Sequence, residues 1–204
     1  MLDVGVVGIA FLSIFLVELP DKTFLATLVL STKYRPLFVW LGVGAAFGVQ
    51  TLLAVIAGGV VSLLPHDFIH AVAGLMFLIG GVILIREGMA HRDALQEEED
   101  EEADLAERAK PATGLRQISA AFLVLFAAEW GDLSQLLTVS LVAKYKEPGS
   151  VFVGSFVALL LVSGLAVVLG KQALRYIRLD LLHFLGAAVC LILGAVTFSS
   201  ILTS

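Results

Sequence analysis

Hydrophobic positions along the chain fall into six long runs separated by polar or turn-forming punctuation. They are approximately Val4–Leu30, Leu37–Leu64, Phe68–Ile85, Ile118–Ala143, Val151–Gly170 and Leu181–Leu202. Each is near or above the roughly 20 residues that cross a hydrocarbon core as a helix. The pattern predicts an all-α polytopic membrane protein with six transmembrane helices. Four connections are short: Ser31–Pro36, Pro65–Asp67, Lys144–Ser150 and Lys171–Asp180. The fifth, Arg86–Gln117, holds Glu97, Glu98, Glu99, Asp100, Glu101, Glu102, Asp104 and Glu107 within eleven positions. A run so charged cannot bury apolar area and reads first as a solvated linker, with cation sensing as the second reading.

Composition excludes a soluble domain. The 204 residues are 59% hydrophobic and 15% charged, against about 45–50% and about 25% for soluble chains. Nineteen glycines suit close helix packing in lipid. A net charge of −5 and a pI near 5.3 argue against a nucleic-acid partner. The lone Cys190 cannot form an internal disulfide.

The chain repeats itself. Sliding it along its own length until Phe11 falls on Phe122 overlays Phe11-Leu12-Ser13-Ile14-Phe15-Leu16-Val17-Glu18-Leu19-Pro20-Asp21 on Phe122-Leu123-Val124-Leu125-Phe126-Ala127-Ala128-Glu129-Trp130-Gly131-Asp132. Thr23 then meets Ser134, Thr27 meets Thr138 and Lys33 meets Lys144. After a one-residue insertion Pro36 meets Pro148, Gly42 meets Gly154 and Gly58 meets Gly170. The third spans align less well, one or two positions further along. The expected organisation is a first three-helix repeat over residues 1–88, an acidic linker over 89–116 and a second three-helix repeat over 117–204. Three is odd, so the second repeat enters the membrane from the opposite side. Inverted-topology repeats are a transporter architecture, with the site at the repeat interface.

Lys and Arg set the orientation. Lys33, Arg35, Arg86, Arg92, Arg108, Lys110, Arg116, Lys171, Arg175 and Arg178 lie on one face, Lys144 and Lys146 on the other. Ten against two places the acidic linker in the cytoplasm and both termini outside. Met1-Leu2-Asp3 lacks a positive n-region, so the first span is expected to stay in the mature protein.

The chemistry lies inside the spans. Glu18, Asp21 and Lys22 interrupt the first, Glu129 and Asp132 the fourth. The Glu-to-Asp spacing of i, i+3 puts both carboxylates of each pair on one helical face. An ionised group at the bilayer centre costs about 2.5–3.5 kcal/mol on insertion scales, so five of them do not face lipid. A structural ion-pair network around Lys22 would leave most of the acid unneutralised. Two carboxylates about 4 Å apart repel by roughly 4 kcal/mol at an effective dielectric near 20. Such a cluster holds either protons or a cation, which is the physical basis of cation:proton antiport. Pro20 removes a backbone donor and Gly131 loosens the chain, so both helices are expected to break there. Thr23, Ser134 and Gln135 offer further oxygens. The set Glu18, Asp21, Glu129, Asp132, Thr23, Ser134 and Gln135 consists of hard donors, suited to Ca²⁺, Mn²⁺ or Mg²⁺ rather than copper or zinc. His66, His70, His91 and His183 fall near or beyond span ends and read as interfacial. Gln50, Thr51 and Ser163 read as readily as helix-packing groups as path-lining ones.

These residues resemble a known family. The motif E-x-G-D-[KR]-[ST], present twice in a six- or seven-span protein with an acidic central loop, characterises the Gdt (transmembrane protein 165) family of cation:proton exchangers. The copies here read Glu18-Leu19-Pro20-Asp21-Lys22-Thr23 and Glu129-Trp130-Gly131-Asp132-Leu133-Ser134-Gln135. The resemblance implies Mn²⁺ or Ca²⁺ exchanged for protons, with Mn²⁺ export in bacterial members. It assigns ion binding to Glu18, Asp21, Glu129 and Asp132, with Thr23, Ser134 and Gln135 as helpers. Pro20 stands where the family has glycine, and Leu133 where it has a basic residue. The compact chain resembles the prokaryotic form, in the plasma (inner) membrane. The expectation is a secondary transporter, not an enzyme, with no cofactor. Its partners are the divalent cation and the lipid bilayer, and a homo-oligomer is allowed. A small-metabolite exporter and a cation channel are the alternatives. An intramembrane aspartyl protease fits poorly, because Asp21 lacks a preceding tyrosine and Glu129 stands where Asp132 would need a glycine.

Overall fold

The Asp3 carboxylate accepts the Val6 N–H at 3.1 Å and caps the first helix, satisfying one of the donors every helix start leaves open. The computed structural model describes residues 2–19, 22–89, 112–173 and 179–202. All regular structure among them is helical: α1 (Val4–Glu18), α2 (Lys22–Lys33), α3 (Pro36–Val61), α4 (His66–Met89), α5 (Arg116–Ala128), α6 (Leu133–Tyr145), α7 (Pro148–Ala173) and α8 (Leu179–Leu202). Residues 90–111, which carry the acidic run, lie outside the described residues.

Three helices are long and apolar enough to cross a membrane, over Pro36–Val61, Phe68–Arg86 and Pro148–Val168. The pair α5 and α6 passes the same test when taken together, bent by 74° at the break between Ala128 and Leu133, which makes it either a broken fourth span or a re-entrant loop. The stretches Val4–Glu18 and Phe184–Ser199 are shorter apolar helices. Six spans therefore require α1 with α2 and α5 with α6 each to cross together, and α8 to cross as a whole. Most expected boundaries shift outward. α3 starts on Pro36 rather than Leu37, because proline suits the first helical position. α4 continues past Ile85 to Met89, since helix hydrogen bonding does not stop where hydropathy does. His70, expected near an interface, is buried in α4.

Equivalent positions of the two halves pack equivalently. Placing Pro36 on Pro148 carries Val61, the end of α3, onto Ala173, the end of α7. Placing His66 on Leu179 likewise carries Met89, the end of α4, onto Leu202, the end of α8. A Cβ added at Gly42 of α3 would meet the Ile118 carbonyl, the Ala121 side chain and the Phe122 N–H of α5. One added at Gly154 of α7 would meet the Val7 carbonyl, the Ala10 side chain and the Phe11 N–H of α1. Each helix thus lies against the opposite half. Phe11 stacks on Phe15 at 5.5 Å and Phe122 on Phe126 at 5.3 Å. α4 and α8 meet through Gly74 against Phe198, Gly81 against Leu191 and Gly194 against Leu78. Such small-residue contacts drive association where lipid offers no hydrophobic force.

These crossings are testable. Gly42→Val and Gly154→Val should each sharply reduce the folded yield and lower the thermal midpoint in detergent. Gly59→Ala, on the same helix as Gly42 with open space around it, should be neutral or slightly stabilising. Equal behaviour of all three variants would refute the close crossings.

The main core draws on all eight helices, with Ile14, Leu30, Phe47, Phe77, Leu125 and Cys190 among its buried members. A smaller cluster holds Phe24 and Leu28 of α2 against Val162 and Ala166 of α7. Leu41, Leu52, Ile56 and Val60 give α3 an exposed apolar face, suited to lipid.

Candidate cation site

The second break is built by four residues. Glu129 ends α5 at φ −93° and ψ 14°. Gly131 takes φ +81°, a left-handed conformation that costs other residues free energy. Asp132 then opens α6 as its N-cap: one carboxylate oxygen accepts the Gln135 N–H at 3.0 Å. The other accepts the Ser134 hydroxyl at 2.6 Å. Gln135 closes the loop from the far side. Its carbonyl accepts the Gly131 N–H at 3.2 Å and its amide donates to the Glu129 carbonyl. The sequence made Gln135 a metal helper; here both ends of its amide hold the backbone that presents Glu129 and Asp132.

The first break meets the second. The Thr23 hydroxyl, in the first turn of α2, donates to a Glu129 carboxylate oxygen. Glu18 ends α1 and is 0% exposed, and Glu129 is 1% exposed. Glu18, Glu129 and Asp132 each bring a carboxylate oxygen within 4.8 Å of the others. Residues 18 and 129 share this cluster although they are far apart in sequence, so the halves converge here. The starts of α2 and α6 add the positive ends of two helix dipoles, while the carboxylates supply the negative charge that a hard cation needs. Pro20, Asp21 and the Lys22 side chain lie outside the described residues.

Of the seven predicted residues the structure brings together Glu18, Thr23, Glu129, Asp132, Ser134 and Gln135. It adds others. A small cavity between α3 and α6 is lined by Gln50, Thr51, Asp132, Ser134, Gln135 and Thr138. Gln50 and Thr51 were visible only as amide and hydroxyl groups in an apolar run, and that signal does not separate packing from path. Ser163 instead donates to the Leu160 carbonyl of its own helix at 3.1 Å, a packing role. Lys144 reaches Thr197 of α8 at 2.7 Å, a link the spacing did not show.

Comparison with known proteins gives a consistent answer. The family model described as divalent cation/proton antiporter GDT1 matches residues 6–92 and again residues 117–203, so each half fits it separately. A GDT1-like protein of Synechocystis is 29% identical over 184 residues, covering 84% of this chain and 89% of its own. The PAM71-homolog protein of Arabidopsis thaliana chloroplasts is 31% identical over 210 residues, covering 93% of this chain and 58% of its own. The GDT1-like protein 1 of Oryza sativa subsp. indica chloroplasts is 29% identical over 212 residues, with coverage of 96% and 62%. The chain thus spans about six tenths of the length of these plant relatives. No solved structure matches. The twice-matching model accounts for most of the chain, including both acidic breaks, and the chain belongs to the GDT1 family of divalent cation/proton antiporters.

Proposed function

We propose that this chain exchanges Mn²⁺, and secondarily Ca²⁺, for protons by alternating access, with the carboxylates of the two helix breaks as the shared site. The observation that carries the reading is the convergence of Glu18, Glu129 and Asp132 within 4.8 Å from both halves. Asp21, by its place in the repeat opposite Asp132, is the fourth acid, with Thr23, Ser134 and Gln135 assisting. Empty and unprotonated, the cluster repels itself. Protons or a divalent ion relieve the repulsion, and each excludes the other. A cation entering from one side displaces protons, the loaded site reopens to the other side, and protons return in its place.

The six-span inverted repeat is part of this proposal. The repeated helix boundaries, the paired Gly42 and Gly154 crossings and the double family match support it. An inverted pair supplies two gates of like construction around one site. The Lys and Arg count supports both termini outside and residues 89–116 in the cytoplasm of a prokaryotic plasma membrane. The direction is then export of the metal.

The test is flux into proteoliposomes holding a pH-sensitive dye, with Mn²⁺, Ca²⁺, Mg²⁺ or K⁺ added outside in turn. Proton release should follow Mn²⁺ most strongly, Ca²⁺ next and K⁺ not at all. Because protons and metal compete, the half-saturating Mn²⁺ concentration should rise as the pH falls, at unchanged maximal rate. Metal entry without proton movement would indicate a channel, and silence toward every cation would favour the metabolite exporter.

A further inference from the structure

Gln50, in the middle of α3, is 3% exposed, and its amide nitrogen donates to the Phe126 carbonyl at 3.2 Å. That carbonyl sits in the last turn of α5, where no intrahelical donor remains. A carbonyl only accepts, so the contact fixes which end of the amide is nitrogen. The Gln50 carbonyl oxygen is left buried without a hydrogen-bond partner among the described residues. A buried polar atom of this kind calls for an explanation. Gln50 lines the small cavity that also holds Asp132, Ser134 and Gln135.

The other half lacks this arrangement. In the repeat alignment Gln50 corresponds to Val162 and Gln135 to Phe24, and Val162 and Phe24 pack in the small apolar cluster. The hydroxyls recur, with Thr23, Thr27 and Ser163 standing for Ser134, Thr138 and Thr51, but the two amides on one side of the site are replaced by hydrocarbon on the other. Helix packing alone does not account for this, since the same crossing is made with valine in the second half.

We propose that Gln50 is a further, one-sided ligand of the transported divalent cation, its Oε1 joining the carboxylates from the cavity between α3 and α6. The inference rests on the site proposed above. An amide oxygen is a hard donor of the kind Ca²⁺ and Mn²⁺ accept, and it carries neither charge nor a titratable proton. Gln50 therefore contributes to metal affinity and leaves the proton side of the exchange unchanged.

The test is equilibrium Mn²⁺ binding to the purified full chain, read by the loss of the free-ion electron paramagnetic resonance signal, over a pH series. Gln50→Leu should weaken binding about tenfold or more, the scale seen when groups around a metal site are removed, with the same pH dependence as the parent. Gln50→Glu keeps an oxygen toward the cavity but loses the donor to Phe126, and should bind at least as tightly as the parent. Unchanged binding by Gln50→Leu overturns the proposal. So does a Gln50→Glu as weak as Gln50→Leu, which would reduce Gln50 to a clamp on Phe126. If Gln50→Leu does not insert, Gln50→Glu decides alone: binding at parental strength or tighter supports the ligand role, and weakened binding overturns it. Asp132→Asn runs alongside. Its loss of binding with Gln50→Leu intact removes only the Gln50 ligand, whereas normal binding by Asp132→Asn removes the carboxylate site itself.

Discussion

Glu129→Gln should lose more than about a hundredfold of its metal-driven proton release at subsaturating Mn²⁺. Two unit charges about 4 Å apart interact by about 4 kcal/mol at an effective dielectric near 20, and a divalent ion doubles that. Half of the doubled figure surviving desolvation already exceeds the roughly 2.8 kcal/mol that a hundredfold represents. The fold should not suffer. Glu129 is buried against Glu18 and Asp132, so removing its charge removes repulsion in the metal-free protein. Glutamine retains a carbonyl oxygen to accept the Thr23 hydroxyl that now bonds the carboxylate. The metal-free thermal midpoint should therefore hold or rise while transport disappears. A structural ion-pair role would give the opposite combination, a lower midpoint with transport reduced only in proportion. Paired flux and melting curves on one preparation distinguish them.

The second large effect is expected at Gly131. Its φ of +81° is the feature that turns the chain between α5 and α6. A Cβ there would meet nothing within 4 Å, so any defect comes from the backbone and not from a clash. Holding an L-residue in this region costs about 1–2 kcal/mol, with asparagine more tolerant and β-branched residues least tolerant. Relaxing the turn would pull the Gly131 N–H from Gln135 and disturb the Gln135 hold on the Glu129 carbonyl. Both carboxylates of the break then move, and a displacement of about 1 Å at a reacting centre can cost about a hundredfold. Gly131→Val should lower flux at least about tenfold by that reasoning, while Gly131→Asn stays near the parent. Equal flux from the two variants would show that the left-handed turn is not what positions the acids. The measurement is initial Mn²⁺-dependent proton release at matched protein content.

Both breaks were legible in the sequence because acid, proline and glycine stand out in an apolar run, and because Glu18 and Asp21 recur in register as Glu129 and Asp132. The helical class followed from hydropathy alone. Other features depend on relations between distant residues. The 74° bend at the second break depends on the φ of Gly131, and glycine permits that value without requiring it. Gln135 was legible as an oxygen donor, but an amide has two ends, and both hold loop backbone. Gln50 offered the same ambiguity in α3 until the Phe126 carbonyl fixed its nitrogen. Residues near membrane borders misled in a simpler way. Arg86 and Glu87 end the hydropathic run, yet α4 continues to Met89, because the backbone needs its hydrogen bonds on either side of the interface. His70 lies just past the expected start of its span, and burial there comes from neighbouring helices that a single stretch of sequence does not show.

Coupling is the central claim, and it is tested most directly by driving the cycle backwards. Proteoliposomes would carry equal Mn²⁺ inside and outside, with the membrane potential clamped and a pH difference imposed across the bilayer. Antiport predicts that Mn²⁺ moves against its own developing gradient, out of the compartment toward which protons flow, and that reversing the pH difference reverses the movement. Glu129→Gln vesicles should show none of this. Mn²⁺ that stays at equal concentration on both sides of the wild-type vesicles, while still crossing as a tracer, would contradict the account.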